Sequence, residues 1–227
     1  MDLRIDVSAS IGSVSGLLMR PPDAWLLYVL AHGAGAGMRH RFLGSVAAVL
    51  AERGVATLRY QFPYVENGRK RPDPPQVLHS TVRAAVAAAA SVAADLPLIA
   101  GGKSMGGRMT SEAAAEQALS GVKGLAFLGF PLHPPGQPGT SRADHLDRID
   151  VPMLFLQGTR DGFARLDLIT DVCEELESYA ALRVIEGADH SFGVLKRSGR
   201  TQSEVLAELG DIIVQWARAR VLGPVAV

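Results

Sequence analysis

The chain has 227 residues, 48% of them hydrophobic and 20% charged, which suits one globular α/β domain over residues 1–227 and excludes a disordered or fibrous chain. Lysine plus arginine number 23 and aspartate plus glutamate 23, so no net field gathers a polyanion and no nucleic acid is expected as a partner. The only cysteine, Cys173, excludes an intramolecular disulfide and a CxxC metal pair; in its helical stretch it reads as a small apolar residue rather than a catalytic thiol.

Short apolar runs alternate with helical patterns along the chain, as in parallel strands joined by crossover helices. The first two strands are expected at Val14 to Met19 and Trp25 to Ala31, and the second runs into His32-Gly33-Ala34-Gly35-Ala36-Gly37. This glycine-rich string does not supply the dinucleotide pattern G-x-G-x-x-G, because the sixth place, counting Gly33 as the first, is Met38. Phe42, Leu43, Val46, Val49 and Leu50 recur at helical spacing, and Gly54 stops that helix. A strand follows at Val55 to Tyr60, then a proline-rich loop, Gln61 to Pro75, whose basic run Arg69, Lys70 and Arg71 reads as a solvated surface. Val77 to Ala94 reads as an alanine-rich helix, well short of the roughly 20 strongly apolar residues that span a bilayer. Together with an N-terminus, Met1-Asp2-Leu3-Arg4, that lacks the basic head and apolar run of a secretory signal, this leads us to expect a cytoplasmic setting and no membrane partner.

The strand Leu96 to Ala100 leads into Gly102-Lys103-Ser104-Met105-Gly106 and then into a helix through Ser111 to Leu119. A G-x-S-x-G between strand and helix puts serine on a sharp turn with its hydroxyl above the sheet, and glycine is needed on both sides because a Cβ there would strike neighbouring backbone. A phosphate-binding loop ending in Gly102-Lys103-Ser104 would need glycine at position 97, which is Pro97. Further strands are expected at Gly124 to Phe130, Met153 to Leu156 and Leu182 to Ile185, giving a seven- or eight-stranded sheet. Between them lies a second proline-rich loop, Pro131 to Ser141, and a helical stretch from Leu166 to Tyr179; the last helix carries Val205, Leu206, Leu209, Ile212, Ile213 and Trp216. Both loops are too short to form a cap domain, so an open site is expected.

A serine hydroxyl needs a base within hydrogen-bond reach and a group that orients the base, and in this arrangement acid and histidine follow the serine in chain order. Asp161, after the strand Met153 to Leu156, and His190, after the last strand, stand in those places. The alternatives are a turn aspartate capping a helix and a loop histidine partnered by Asp189. Backbone N–H groups of Ala34, Gly33 and Met105 are the candidates for an oxyanion hole. His32, His133 and Lys103 are candidates to line the pocket.

The strings His32 to Gly37, Gly101-Gly102-Lys103-Ser104-Met105-Gly106-Gly107-Arg108, Phe130-Pro131-Leu132-His133-Pro134-Pro135-Gly136 and Gln157-Gly158-Thr159-Arg160-Asp161 together resemble the dienelactone-hydrolase-like branch of the α/β-hydrolase superfamily. Within it they resemble a group of small predicted serine hydrolases. The resemblance implies a mostly parallel sheet flanked by helices, no metal or organic cofactor, and a triad of Ser104, Asp161 and His190 acting on an ester, thioester or related acyl bond of a small molecule. Dienelactone hydrolases proper carry a cysteine nucleophile where this chain has Ser104, so their lactone chemistry is not implied. The rival reading is a non-catalytic scaffold that keeps the fold to bind a partner. Substrate identity and oligomeric state are not legible in the residues.

Overall fold

Alternation within the apolar runs decides which layer each side chain enters. A computed structural model describes residues 1–223. Its strands are β1 (Asp2–Ser8), β2 (Gly12–Met19), β3 (Leu26–Ala31), β4 (Val55–Tyr60), β5 (Leu98–Lys103), β6 (Val122–Leu128), β7 (Met153–Gly158) and β8 (Ala180–Ile185). Its helices are α1 (Arg41–Ala51), α2 (Pro63–Glu66), α3 (Pro75–Val92), α4 (Met105–Glu116), α5 (Leu166–Glu175) and α6 (Gln202–Arg220). The strands form one eight-stranded sheet in the order β1-β2-β4-β3-β5-β6-β7-β8. Strands β1 and β2 pair antiparallel with each other, as do β2 and β4, and every other pairing is parallel. The expected α/β class with a mostly parallel sheet is thus the observed one.

All six residues of β3 are buried, and their period of two splits them between two cores. Leu27, Val29 and Ala31 join the layer under α3, α4 and α5, with Val82, Ala85, Met109 and Ile169. Leu26, Tyr28 and Leu30 join the layer under α1 and α6, with Leu43, Val46, Val205, Leu209 and Trp216. Each large side chain so enclosed contributes about 1.5–3 kcal/mol from apolar burial. Helix α6 starts at a capping box in which Thr201 and Glu204 satisfy each other's backbone N–H.

The structure departs from the sequence-based expectations at several places. Strand β1 was not expected, although Leu3, Ile5 and Val7 alternate with polar residues; it is a short edge strand with only Ile5 fully buried, and its hairpin pairing with β2 holds it in the sheet. Strand β5 continues through Gly101 and Gly102 to Lys103, because flanking β3 and β6 supply ladder partners that offset the weak strand preference of glycine. Helix α4 begins at Met105, immediately after Ser104, rather than near Ser111. The helical stretch after Leu166 gives way at Glu175 to a separate 3-10 turn over Glu177–Tyr179. The loop after β4 contains the short helix α2, opened by Pro63.

Parallel pairing of β3, β5, β6, β7 and β8 points their carboxyl ends to one edge, where the loops after them meet. Among the described residues no helix is long and apolar enough to cross a membrane.

Candidate active site

Ser104 stands between β5 and α4 with φ 52° and ψ −121°, a backbone state costing on the order of 1–3 kcal/mol for a residue with a Cβ. Close approach on both sides makes the turn possible. A Cβ on Gly102 would run into the carbonyl oxygen of Ala31, and one on Gly106 into that of His32. The Ser104 N–H donates to Leu128 O at 3.1 Å, and the Ser104 carbonyl accepts from Arg108 N in the first turn of α4. The hydroxyl is therefore held at the carboxyl edge by backbone on three sides.

Asp161 follows β7 and His190 follows β8; the imidazole reaches Ser104 and the carboxylate reaches the imidazole. His190 Nε2 lies 2.8 Å from Ser104 Oγ, and His190 Nδ1 lies 2.7 Å from Asp161 Oδ2. Asp161 is buried, with its side chain fully enclosed. Its Oδ2 also accepts from Gln157 Nε2 at 2.6 Å and its Oδ1 from Phe163 N at 2.8 Å. A carboxylate so placed accepts from Nδ1–H, which leaves Nε2 of a neutral imidazole as the acceptor facing the hydroxyl. The Phe163 ring covers the imidazole at 4.3 Å between centroids. Asp189 does not compete for His190, since its Oδ1 accepts from the N–H groups of Ser191 and Gly193. Gln157 had no role assigned from sequence, although its place four residues before Asp161 at the end of β7 brings it to the carboxylate.

The loop after β3 passes beside this turn: a Cβ on Gly33 would lie 3.5 Å from Ser104 Cβ. Among the described residues, the N–H groups of Gly33, Ala34 and Met105 have no acceptor within the protein. Together with Ser104 and His190, the residues Ala34, Ala36, Phe42, Leu43 and Phe163 line a cleft of about 290 Å³. A larger cleft of about 460 Å³, bounded by Asp144, Asp147, Asp171 and Glu175, contains none of these groups. Among the described residues no group of three or more His, Cys, Asp or Glu side chains is arranged to hold a metal ion.

Two residues expected at the pocket are elsewhere. His32 is fully buried, donating from Nδ1 to Gly33 O at 2.8 Å and accepting from Phe62 N at Nε2, 3.1 Å away. It clamps the loop after β3 from behind, and burial pushes its pKa down to about 4, so it is neutral there. His133 is also buried: Nδ1 donates to Pro134 O, and Nε2 accepts from Arg165 N at 2.9 Å. With both ring nitrogens engaged, it staples the loop after β6 to the loop that carries Asp161. Lys103 does line the cleft with its stem, while its ammonium is buried. Arg69, Lys70 and Arg71 are exposed on the loop after α2, where Arg69 pairs with Asp73 at 2.8 Å, away from the cleft.

A second serine–histidine contact exists in the molecule. Ser111 Oγ lies 2.7 Å from His145 Nε2, inside α4 and fully buried. Ser111 donates its single hydroxyl proton to Arg108 O at 2.8 Å, so the histidine must be the donor in this pair.

The fold recurs among solved structures. A dienelactone hydrolase from Anabaena variabilis matches with a TM-score of 0.75 at 22% identity, over 97% of this chain and 98% of that one. An α/β serine hydrolase without a lid from Xanthomonas campestris matches with a TM-score of 0.73 at 20% identity, over 100% and 96%. A third structure, from Thermus thermophilus, matches with a TM-score of 0.68 at 23% identity, over 97% and 99%. At such identities the likeness establishes the fold. The sequence itself matches the alpha/beta hydrolase domain over residues 24–218, from before β3 to near the end of α6, and the chain belongs to that family.

Proposed function

We propose that this chain is a serine hydrolase that cleaves a small ester, thioester or related acyl bond through an acyl-enzyme on Ser104. The observation that carries the reading is the continuous contact of hydroxyl, imidazole and carboxylate, at 2.8 and 2.7 Å, opening on a cleft. In this reading His190 Nε2 takes the Ser104 proton as Oγ attacks the acyl carbonyl carbon. The carbonyl oxygen becomes an oxyanion that accepts hydrogen bonds from the N–H groups of Ala34 and Met105, with Gly33 as the neighbouring donor. Collapse breaks the bond to the leaving group, which departs with the proton from His190. Water then enters, loses a proton to the same imidazole and releases the acid, restoring Ser104. Asp161 keeps Nδ1 protonated and stabilises the transient imidazolium. Gln157 and the Phe163 N–H hold that carboxylate in place.

The apolar walls formed by Phe42, Leu43 and Phe163 suit a compact acyl group. A cytoplasmic small-molecule hydrolase that needs no cofactor is the accompanying expectation. The test is labelling with a fluorophosphonate probe and turnover of p-nitrophenyl acetate. Wild-type protein should label at Ser104 and hydrolyse the ester, and both should vanish in Ser104→Ala and in His190→Ala. A wild-type protein that remains unlabelled is a binding scaffold, and the proposal falls.

A further inference from the structure

Lys103 is the residue that the catalytic reading leaves unexplained. Its ammonium nitrogen is buried and, among the described residues, has no hydrogen-bond partner. A buried, unpaired cation is costly, and folded proteins rarely carry one without a use for it. The surroundings of Nζ are specific. A methyl group built on Gly129, in the turn after β6, would lie 3.1 Å from Lys103 Nζ, 3.4 Å from Asp161 Oδ2 and 3.4 Å from His190 Nδ1. One point above a single glycine is thus shared by the ammonium and by both atoms of the acid–base contact. Gly129 has φ 69°, so glycine suits both the backbone and the space. The Phe192 ring closes the other side, 5.7 Å from Nζ to its centroid.

We propose that Lys103 is a positioning residue, whose buried ammonium draws the loops bearing Asp161 and Asp189 toward the nucleophile turn and so holds the acid–base pair in register with Ser104. This inference rests on the serine-hydrolase reading. Its stem is anchored beside Ser104, and the titratable groups around its head come from two loops, Asp161 after β7, and Asp189 and His190 after β8. From the loop after β3 the titratable group that lines the same cleft is His40, and the turn after β6 contributes the bare Gly129. A direct ion pair with Asp161 would take a lone pair from the oxygen that serves His190 and Gln157. An ammonium that is close but unbonded attracts both carboxylates and leaves all their hydrogen bonds in place. Burial pushes the Lys103 pKa down to about 8, against the attraction of Asp161 and Asp189, so its charge is lost within an accessible pH range.

The test follows the rate of fluorophosphonate labelling of Ser104 from pH 6 to 10 in wild type and in Lys103→Met, a neutral replacement of similar length. Wild type should slow about tenfold through a transition near pH 8, whereas Lys103→Met should be about tenfold slower at pH 7 and flat above it, the two curves meeting by pH 9.5. Lys103→Met should also melt at a higher temperature at pH 7, because it removes an unpaired buried charge. Equal rates at pH 7 overturn the proposal, as does a constant ratio between the two curves, which would make Lys103 a packing residue only. If Lys103→Met does not fold, the wild-type curve decides, and the absence of a transition near pH 8 overturns the proposal. A wild type that labels at no pH overturns the hydrolase reading and this inference together, whereas a wild type that labels with no dependence on Lys103 overturns the inference alone.

Discussion

Two serine–histidine pairs lie within one helix length of each other, and the shorter contact belongs to the pair outside the proposed triad. Ser111 Oγ and His145 Nε2 are 2.7 Å apart, against 2.8 Å for Ser104 and His190. The difference lies in everything around the contact. Ser104 stands on a strained turn in an open cleft, and the far nitrogen of its histidine meets a buried carboxylate. Ser111 is sealed within α4 and gives its proton to Arg108 O, so His145 must donate and cannot act as its base. A nucleophile is defined by access, by the direction of the proton and by a third group that fixes the tautomer, rather than by the serine–histidine distance.

The comparison predicts its largest contrast at the serines. Ser104→Ala should cost about 10⁴-fold or more in ester turnover, whereas Ser111→Ala should leave turnover within about twofold. Steady-state kinetics on both variants would break the comparison if they lost activity alike. Next, Asp161→Asn should lower kcat by roughly 10³–10⁴-fold with little change in fold, because an amide facing Nδ1 favours the wrong tautomer. Activity close to wild type in this variant would remove the carboxylate from the mechanism.

A third prediction concerns His32 and His145, whose pKa values burial lowers. His32 in the folded state binds a proton only near pH 4, against an ordinary value of 6.5 in the unfolded chain. Between those values the unfolded state holds more protons, so stability falls as pH drops from 6.5 to 4, by about 3 kcal/mol for His32. His145, also held down by burial, adds to the loss in the same direction. Urea unfolding at pH 7 and pH 4.5 measures the change, and in His32→Gln the pH dependence should shrink while stability at pH 7 also falls. The smallest expected effect is on stability in Ser111→Ala, about 1–3 kcal/mol, from the unpaired donor left on His145. Thermal melting of that variant sharpens the contrast, since the pair would prove structural by its effect on folding and its silence in turnover.

Much of the fold was legible because period and punctuation are local. The two faces of β3 alternate as its apolar run predicts, and α1 and α6 follow their helical spacing. Legibility failed where tertiary pairing overrode local preference. The alternation of Leu3, Ile5 and Val7 marks β1 only over a short edge segment that its pairing with β2 completes, and β5 runs through Gly101 and Gly102 only because strands flank it on both sides. His32 and His133 illustrate the same limit within the site. Their place at the carboxyl edge was readable, but the backbone N–H that engages Nε2 of each, from Phe62 and from Arg165, comes from a distant loop.

The amino-acid sequence alone determined the order of the chemical groups and the local turn that presents Ser104, since a strand, two flanking glycines and a helix are encoded within a few adjacent residues. Tertiary structure decided which groups meet. Ser104 and His190 are 86 positions apart and His190 and Asp161 are 29 apart, and they converge because β5, β6, β7 and β8 lie side by side in parallel register. The same register encloses the Lys103 ammonium against Gly129 and gives Ser111 a histidine it cannot use. Periodicity fixes which face a side chain takes, whereas contacts across the sheet edge depend on strand order, which no local pattern contains.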